Sequence, residues 1–241
     1  MAIAYHKKLD KDTEFAIWKI EESPEDLCAQ LQLSADENKV LESLSNGRRN
    51  LHWLSTRVLL RQLLNTNEYI DCQVDEHGKP YLPNSPYHIS FSHSFDYAAV
   101  MISKNQPVGI DIEIIKNKIE RVAGKFLMPS EIDFIQKEHA IEHLYICWCA
   151  KEAIYKLQGK RNVSFKDHIR LNPFSYSPKG AFSANLITEQ ECKSFDVQFE
   201  KFENYMIGYV AGCNEIMNPI AEVADIHTHE TCMSLPLTKP R

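Results

Sequence analysis

The segment Val108–Ile115 alternates apolar and non-apolar side chains, and this pattern constrains the fold more than any other in the chain. Successive side chains of a β-strand point to opposite faces. The isoleucines at its even-numbered positions therefore share one face, which we expect to lie against the core. The opposite face carries Gly109, Asp111 and Glu113. The pattern predicts a β-strand that presents two acidic side chains in the same direction.

Asp111 and Glu113 can hold a divalent cation between them. Carboxylates at positions i and i+2 of a strand lie about 6.5–7 Å apart at Cα. Both can reach one hard cation such as Mg²⁺, which prefers oxygen ligands. The alternative is a half-exposed strand whose acids are solvated, but like charges on one face repel each other and a metal would compensate them. Gly109 leaves this face open, so we expect that a ligand can approach the backbone beside Asp111.

The segment Ile141–Leu157 has the strongest helical pattern of the chain. Trp148, Glu152 and Lys156 recur at every fourth residue, so they share one helix face. The alternative is a surface pair between Glu152 and Lys156, worth about 0.3–0.5 kcal/mol. Because Trp148 lies on the same face, we expect Glu152 to lie near the rim of the core.

Helical and β-type segments are mixed along the chain without regular β–α–β alternation, which favours an α+β fold. A helical segment, Asp36–Leu64, is interrupted near Gly47. Two short β-type runs, Tyr87–Phe91 and Tyr97–Ile102, predict a hairpin. Ser130 is the expected N-cap of a later helix.

Composition excludes several classes of protein. The formal net charge of -6 argues against a general nucleic-acid binder. No apolar stretch reaches the roughly 18 residues of a membrane span, so we expect none. The seven cysteines are odd in number and form no C-x-x-C pair, which indicates reduced thiols and a cytoplasmic protein.

The acidic strand and the helix together resemble the two-part signature of the 4'-phosphopantetheinyl transferases. The first part is Gly109-Ile-Asp111-Ile-Glu113, and the second is Trp148-x-x-Lys151-Glu152-Ala153-x-x-Lys156. The length is that of the larger, surfactin-synthetase-activating (Sfp-like) type. The resemblance covers roughly residues 48–160 and is loose before and after. Its further matching segments are Gly78-Lys79-Pro80, Ser92-His93-Ser94 and Pro129-Ser130-Glu131.

The resemblance implies a monomer built from two similar α/β halves, related by pseudo-twofold symmetry, with the active site at their interface. Residues 1–107 would form the half that binds the nucleotide end of coenzyme A. Residues 108–217 would form the half that carries the magnesium motifs. Residues 218–241 form a tail, which loses periodicity and which we expect to be poorly ordered.

The resemblance also implies a role for each matched side chain. Asp111, Glu113 and Glu152 would bind Mg²⁺, and Asp111 would thereby contact the cofactor diphosphate. Lys151 and Lys156 would lie near the phosphates, with Lys156 the better candidate for stabilising charge in the transition state. The side chains expected at the nucleotide end of coenzyme A are Arg48, Lys79, Pro80, Ser92 and His93.

The implied reaction transfers 4'-phosphopantetheine from coenzyme A to a serine of an apo acyl or peptidyl carrier protein and releases 3',5'-ADP. Glu131 matches an acid proposed as the general base, with a metal-bound hydroxide as the rival. Such carriers are acidic, so we expect them to dock on the basic stripe Lys118, Arg121 and Lys125. The alternative for this stripe is a solvated helix face.

Two other functions share these residues. A magnesium-dependent phosphate or pyrophosphate hydrolase would need the acids and lysines but no protein acceptor. A coenzyme A binding module would bind the ligand without turnover.

Overall fold

A computed structural model of the protein describes residues 3–44 and 47–215. The tail predicted at 218–241 lies outside these residues. None of the helices within the described ranges has the length and apolar content needed to span a membrane.

The described residues form strands, six α-helices and two short 3-10 turns at Asn117–Val122 and Lys137–His139. The helices are α1 (Pro24–Cys28), α2 (Ala35–Ser43), α3 (Arg48–Leu64), α4 (Ala123–Phe126), α5 (Pro129–Ile132) and α6 (Ala140–Gln158). The strands are β1 (Ile3–Lys8), β2 (Thr13–Lys19), β3 (Gln73–Val74), β4 (Pro80–Tyr81), β5 (His88–Ser94), β6 (Tyr97–Ser103), β7 (Val108–Ile114), β8 (Ile169–Leu171), β9 (Lys179–Ile187), β10 (Cys192–Phe202), β11 (Tyr205–Ala211) and β12 (Asn214–Glu215).

Most strands of the described residues belong to two antiparallel sheets. The first sheet has the strand order β1-β2-β6-β5, and the second has the order β7-β11-β10-β9-β8, with β12 paired to β10. β3 and β4 form a separate two-stranded hairpin. β5 and β7 are therefore edge strands of different sheets, although they lie side by side.

Three apolar cores determine the order of the layers. α3 covers one face of the first sheet, and α6 covers one face of the second. The remaining faces of the two sheets pack on each other, so the layers run helix, sheet, sheet, helix. Each large apolar side chain buried in such a core contributes about 1.5–3 kcal/mol. The core between the sheets includes Phe15, Ile17, Met101, Ile110, Ile112 and Ile207.

The mixed α and β class predicted from the sequence is confirmed, as is the apolar face of β7, where Ile110 and Ile112 are fully buried. The break in the predicted helix 36–64 separates α2 from α3. The expected N-cap Ser130 is wrong. The N-cap is Met128, two residues earlier, so α5 begins at Pro129, and the Glu131 carboxylate accepts a hydrogen bond from the Met128 amide.

Helix α6 lies directly on the second sheet at two glycines. A Cβ atom added at Gly109 would lie 1.9 Å from the carbonyl oxygen of Ala153, and one added at Gly208 would lie 2.8 Å from the carbonyl carbon of Cys149. The space beside Gly109, where we expected a ligand, is therefore filled by α6. This close contact brings Glu152, the neighbour of Ala153, to the strand that carries Asp111.

Candidate functional site

A cleft of about 740 Å³ lies between the first and second sheets. Its floor is formed by β5, β7 and α6, and its walls by α3 and the β3–β4 hairpin. The cleft brings together most of the side chains singled out in the sequence. Those that line it are Lys79, Pro80, Ser92, His93, Asp111, Glu113, Glu152 and Lys156.

Asp111 lines the cleft and is only 3% exposed. Its Oδ1 atom accepts hydrogen bonds from the Ser92 hydroxyl and the Lys156 ammonium, each at 2.7 Å. Its Oδ2 atom is buried without a hydrogen-bond partner among the described residues. A buried carboxylate oxygen that lacks a partner is costly, and it is the kind of atom that a divalent cation would engage.

Glu113 and Glu152 lie near Asp111, and burial together with repulsion from Asp111 raises the pKa of each. Burial, and then repulsion from Asp111, raise the pKa of Glu113. Burial raises the pKa of Glu152 to about 7, and Asp111 adds to the shift. Hydrogen bonds from the Ser94 hydroxyl, to Oε2 at 2.8 Å, and from the Trp148 side chain oppose this rise at Glu113. Desolvation and a nearby like charge both favour the protonated form of a carboxyl group, and a bound cation would favour the ionised form.

Lys156 supplies positive charge beside Asp111. Its ammonium donates to Asp111, to the Ser92 hydroxyl at 2.9 Å and to the carbonyl of Ile110 at 3.1 Å. In the arrangement that the structure shows, no group of three His, Cys, Asp or Glu side chains within 3–44 and 47–215 is gathered closely enough to hold a metal. The donor set still fits Mg²⁺, because it offers carboxylate oxygens only and one of them is unpartnered.

The cleft is also lined by three further cations, Arg49, Arg57 and Lys79. Arg57 lies 3.6 Å over the ring of Trp53, and its Nε is buried without a partner among the described residues. The Lys79 ammonium donates to the carbonyl of Leu157, near the end of α6. These cations can bind an anionic group, whereas the acids Asp111, Glu113 and Glu152 can bind a cation.

His93 lines the cleft and stacks on His52 with a centroid separation of 4.1 Å. Desolvation by the surrounding groups, followed by the nearby His52 and Lys156, holds the pKa of His93 below its usual 6.5. His93 therefore offers a neutral imidazole to the cleft near pH 7. Such a group serves as a hydrogen-bond partner and not as a fixed positive charge.

Arg48 lies outside the cleft, contrary to expectation. Its guanidinium pairs with Asp96 at 2.7 Å and stacks 4.2 Å from the ring centre of Phe95. The next residue, Arg49, faces the cleft instead, because consecutive residues of a helix point about 100° apart. Neither Arg49 nor Arg57 was predicted from the sequence, although Arg57 stands one helical turn after Trp53 and could have been recognised from that spacing.

Glu131 and Lys151 also lie away from the cleft, as a buried ion pair. Lys151 is fully buried and Glu131 is 3% exposed, with Nζ and Oε2 at 2.8 Å. Burial lowers the pKa of Lys151, and Glu131 opposes that shift. The Glu131 carboxylate also accepts from two backbone amides, and the Lys151 ammonium also donates to two backbone carbonyls. Because their polar atoms are used within the fold, we replace their expected roles as general base and phosphate ligand with a structural role.

The basic stripe expected to meet a carrier is exposed. Lys118, Arg121 and Lys125 lie on a 3-10 turn followed by α4 and not on one continuous helix. Among the residues that the structure describes, no carboxylate lies within ion-pair distance of these three cations.

Comparison with known proteins gives one family. Residues 107–210 match the model of the 4'-phosphopantetheinyl transferase superfamily. The chain is 35% identical to a 4'-phosphopantetheinyl transferase of Bacillus subtilis over 91 residues, which are 36% of this chain and 40% of that protein.

Two further relatives agree. The 4'-phosphopantetheinyl transferase AcpT of Escherichia coli (strain K12) is 31% identical over 124 residues, covering 49% of this chain and 63% of that protein. The 4'-phosphopantetheinyl transferase Sfp of Bacillus subtilis (strain 168) is 30% identical over 112 residues, covering 43% of this chain and 50% of that protein. The matches thus span between 40% and 63% of these relatives. The resemblance predicted from the sequence is confirmed: residues 107–210, which carry the acidic strand and helix α6, match the 4'-phosphopantetheinyl transferase superfamily, and the chain is similar to transferases of that name.

Proposed function

We propose that this protein transfers the 4'-phosphopantetheine group of coenzyme A to a serine of an apo acyl or peptidyl carrier protein, with Mg²⁺, and releases 3',5'-ADP. The observation that carries this proposal is that one cleft is lined both by a group of acids and by a set of cations. The acids are Asp111, Glu113 and Glu152, and the cations are Arg49, Arg57 and Lys79. Coenzyme A has a diphosphate and a separate ribose phosphate, so one of these groups can pair with a metal held by the acids and the other with the cations.

Asp111, Glu113 and Glu152 would hold the magnesium ion. When bound, the ion supplies charge that polarises the diphosphate and offsets the charge developing during transfer. The unpartnered Oδ2 of Asp111 and the raised pKa values of the two glutamates support this set of ligands.

The residues of the chain itself then have separable tasks. The Lys156 ammonium, held beside Asp111, stabilises negative charge on the transferred phosphoryl group. Arg49 and Arg57 bind phosphate oxygens at the nucleotide end, a task for which a guanidinium is well suited. Pro80 and His93 also line the cleft. We assign Glu131 no part in accepting the serine proton, since its carboxylate does not reach the cleft.

Lys118, Arg121 and Lys125 form the proposed docking stripe for the carrier. They are exposed, and their charge complements an acidic partner. The family resemblance further supports two halves, 1–107 and 108–217, related by a pseudo-twofold axis. A monomeric state and a cytoplasmic location also stay proposals.

Mass spectrometry of an apo-carrier incubated with the protein, coenzyme A and Mg²⁺ tests the function. We expect the carrier to gain one phosphopantetheine on a serine and Asp111→Ala to abolish the gain. Consumption of coenzyme A without any carrier would instead support a phosphate or pyrophosphate hydrolase. Binding of coenzyme A with no turnover on any carrier would support a binding module.

A further inference from the structure

Three serines at alternate positions of β5 join the two sheets where their edge strands meet. Ser90, Ser92 and Ser94 point towards β7, and we call them the serine ladder. Each hydroxyl oxygen accepts a hydrogen bond from one backbone amide of β7. The amide-to-hydroxyl pairs are Ile110 to Ser90 at 3.1 Å, Ile112 to Ser92 at 3.2 Å and Ile114 to Ser94 at 3.1 Å.

These bonds take the place of a backbone ladder between β5 and β7, which belong to different sheets. Side-chain hydroxyls hold the strands farther apart than direct pairing would, and the cleft lies along this line. The spacing of the serines also sets the register, because a shift by one residue would turn every hydroxyl to the other face of β5.

Two members of the ladder have a second contact. A serine hydroxyl has one hydrogen to donate and two lone pairs with which to accept. Ser92 accepts from the Ile112 amide and the Lys156 ammonium, and it donates to Asp111 Oδ1 at 2.7 Å. Its hydrogen-bonding capacity is fully used, so its hydroxyl is fixed in direction.

Ser94 has the same arrangement one step along the strand. It accepts from the Ile114 amide and donates to Glu113 Oε2 at 2.8 Å. Ser90 differs, because it accepts from the Ile110 amide but makes no bond to a carboxylate among the described residues. Ser90 can therefore serve as a control for Ser92 and Ser94, because all three accept a bond from a β7 amide but only Ser92 and Ser94 also donate to an acid in the described part of the chain.

We propose that Ser92 and Ser94 are positioning residues that orient the Asp111 and Glu113 carboxylates for a divalent cation. Each hydroxyl donates to one oxygen of its acid. For Asp111 the remaining oxygen is Oδ2, which is buried and unpartnered within the described part of the chain. Groups that orient metal ligands in this way typically contribute about 10–100-fold to metal affinity. This inference rests on the proposed function, because it presumes that the acids bind a metal.

Ser92→Ala and Ser94→Ala, with Ser90→Ala as the matched control, test the inference in the full-length protein. Isothermal titration with Mg²⁺, and with Mn²⁺ as a second probe, gives the dissociation constant without any turnover. Thermal unfolding without metal gives the melting temperature of each variant. All three variants lose one acceptor for a β7 amide, so all three should melt at a lower temperature. Only Ser92→Ala and Ser94→Ala should weaken metal binding, by about tenfold or more.

Equal weakening in Ser90→Ala, or wild-type metal affinity in Ser92→Ala and Ser94→Ala, would overturn the inference while leaving the proposed function standing. Failure of the wild-type protein to bind either ion would overturn both. If Ser92→Ala does not fold, the comparison of Ser94→Ala with Ser90→Ala decides the matter.

Discussion

Replacing Lys151 by methionine separates the structural role of this residue from the role in phosphate binding that its place in the sequence motif implies. Lys151 is fully buried, and its ammonium donates to Glu131 and to two backbone carbonyls. Methionine fills the space but leaves the buried Glu131 carboxylate without an opposite charge. Removal of one partner from a buried ion pair costs about 3–5 kcal/mol. We therefore expect the free energy of unfolding to fall by about that amount, a large part of the roughly 5–15 kcal/mol that a folded protein has.

Urea unfolding with and without Mg²⁺ measures the loss of stability. Transfer activity must be measured at low temperature and divided by the folded fraction, because a destabilised variant is partly unfolded. We expect the activity per folded molecule and the Mg²⁺ affinity of Lys151→Met to stay close to those of the wild-type protein.

Lys156→Met is the matched control on the same helix. The Lys156 side chain is 25% exposed and its ammonium contacts Asp111 in the cleft. With Mg²⁺ present the acids keep a cation, so we expect the free energy of unfolding to fall by less than in Lys151→Met. Transfer activity should be lost. If Lys151→Met keeps wild-type stability but loses transfer, the structural role of Lys151 is refuted.

Three further perturbations test other parts of the molecule. Gly109→Ala places a Cβ 1.9 Å from the Ala153 carbonyl oxygen, so α6 must shift. Urea unfolding should show that the free energy of unfolding falls by about 1–3 kcal/mol, and titration should show weaker Mg²⁺ binding. Wild-type values in both measurements would contradict the close contact. Arg121→Glu with Lys125→Glu should raise the KM for an acidic carrier and leave the KM for coenzyme A unchanged; an unaltered carrier KM in steady-state kinetics would remove the docking stripe. Burial lowers the pKa of His143 from 6.5 to about 4. As the pH falls, the unfolded chain therefore binds a proton at this residue before the folded protein does. The stability that the neutral ring contributes is complete above pH 6.5 and is lost as the pH falls towards 4. His143→Gln should flatten that part of the unfolding free energy measured against pH, and curves of equal slope would exclude His143 as the cause.

Part of the candidate site could be predicted from the periodicity of the sequence. Strand alternation placed Asp111 and Glu113 on one face, and helical spacing placed Glu152 and Lys156 on another, because both patterns depend on local geometry alone. The same helical geometry turns Lys151 about 100° away from Glu152. That turn sends Lys151 into the core, where Glu131 arrives from a segment that no local pattern connects to it.

Other features depended on tertiary contacts. β2 was missed because its run Phe15–Trp18 is buried on both faces, and a short continuous apolar run carries no period. Gly109 indicated a close approach, but sequence could not tell whether a ligand or a helix approaches. Whether Arg48 or Arg49 faces the cleft depends on the rotation of the first turn of α3 about the helix axis. The sequence does not determine that rotation, because the first residues of α3 are exposed.

The pairing of β7 has a consequence for the order in which the protein can be assembled during synthesis. β7 is made near the middle of the chain, but its neighbour within its own sheet is β11, at Tyr205–Ala211. Contacts between such distant segments form late, because a long loop must close first. The acidic strand therefore leaves the ribosome well before the strand that completes it. A chain cut short before β11 would contain every side chain of the cleft and still lack a working centre.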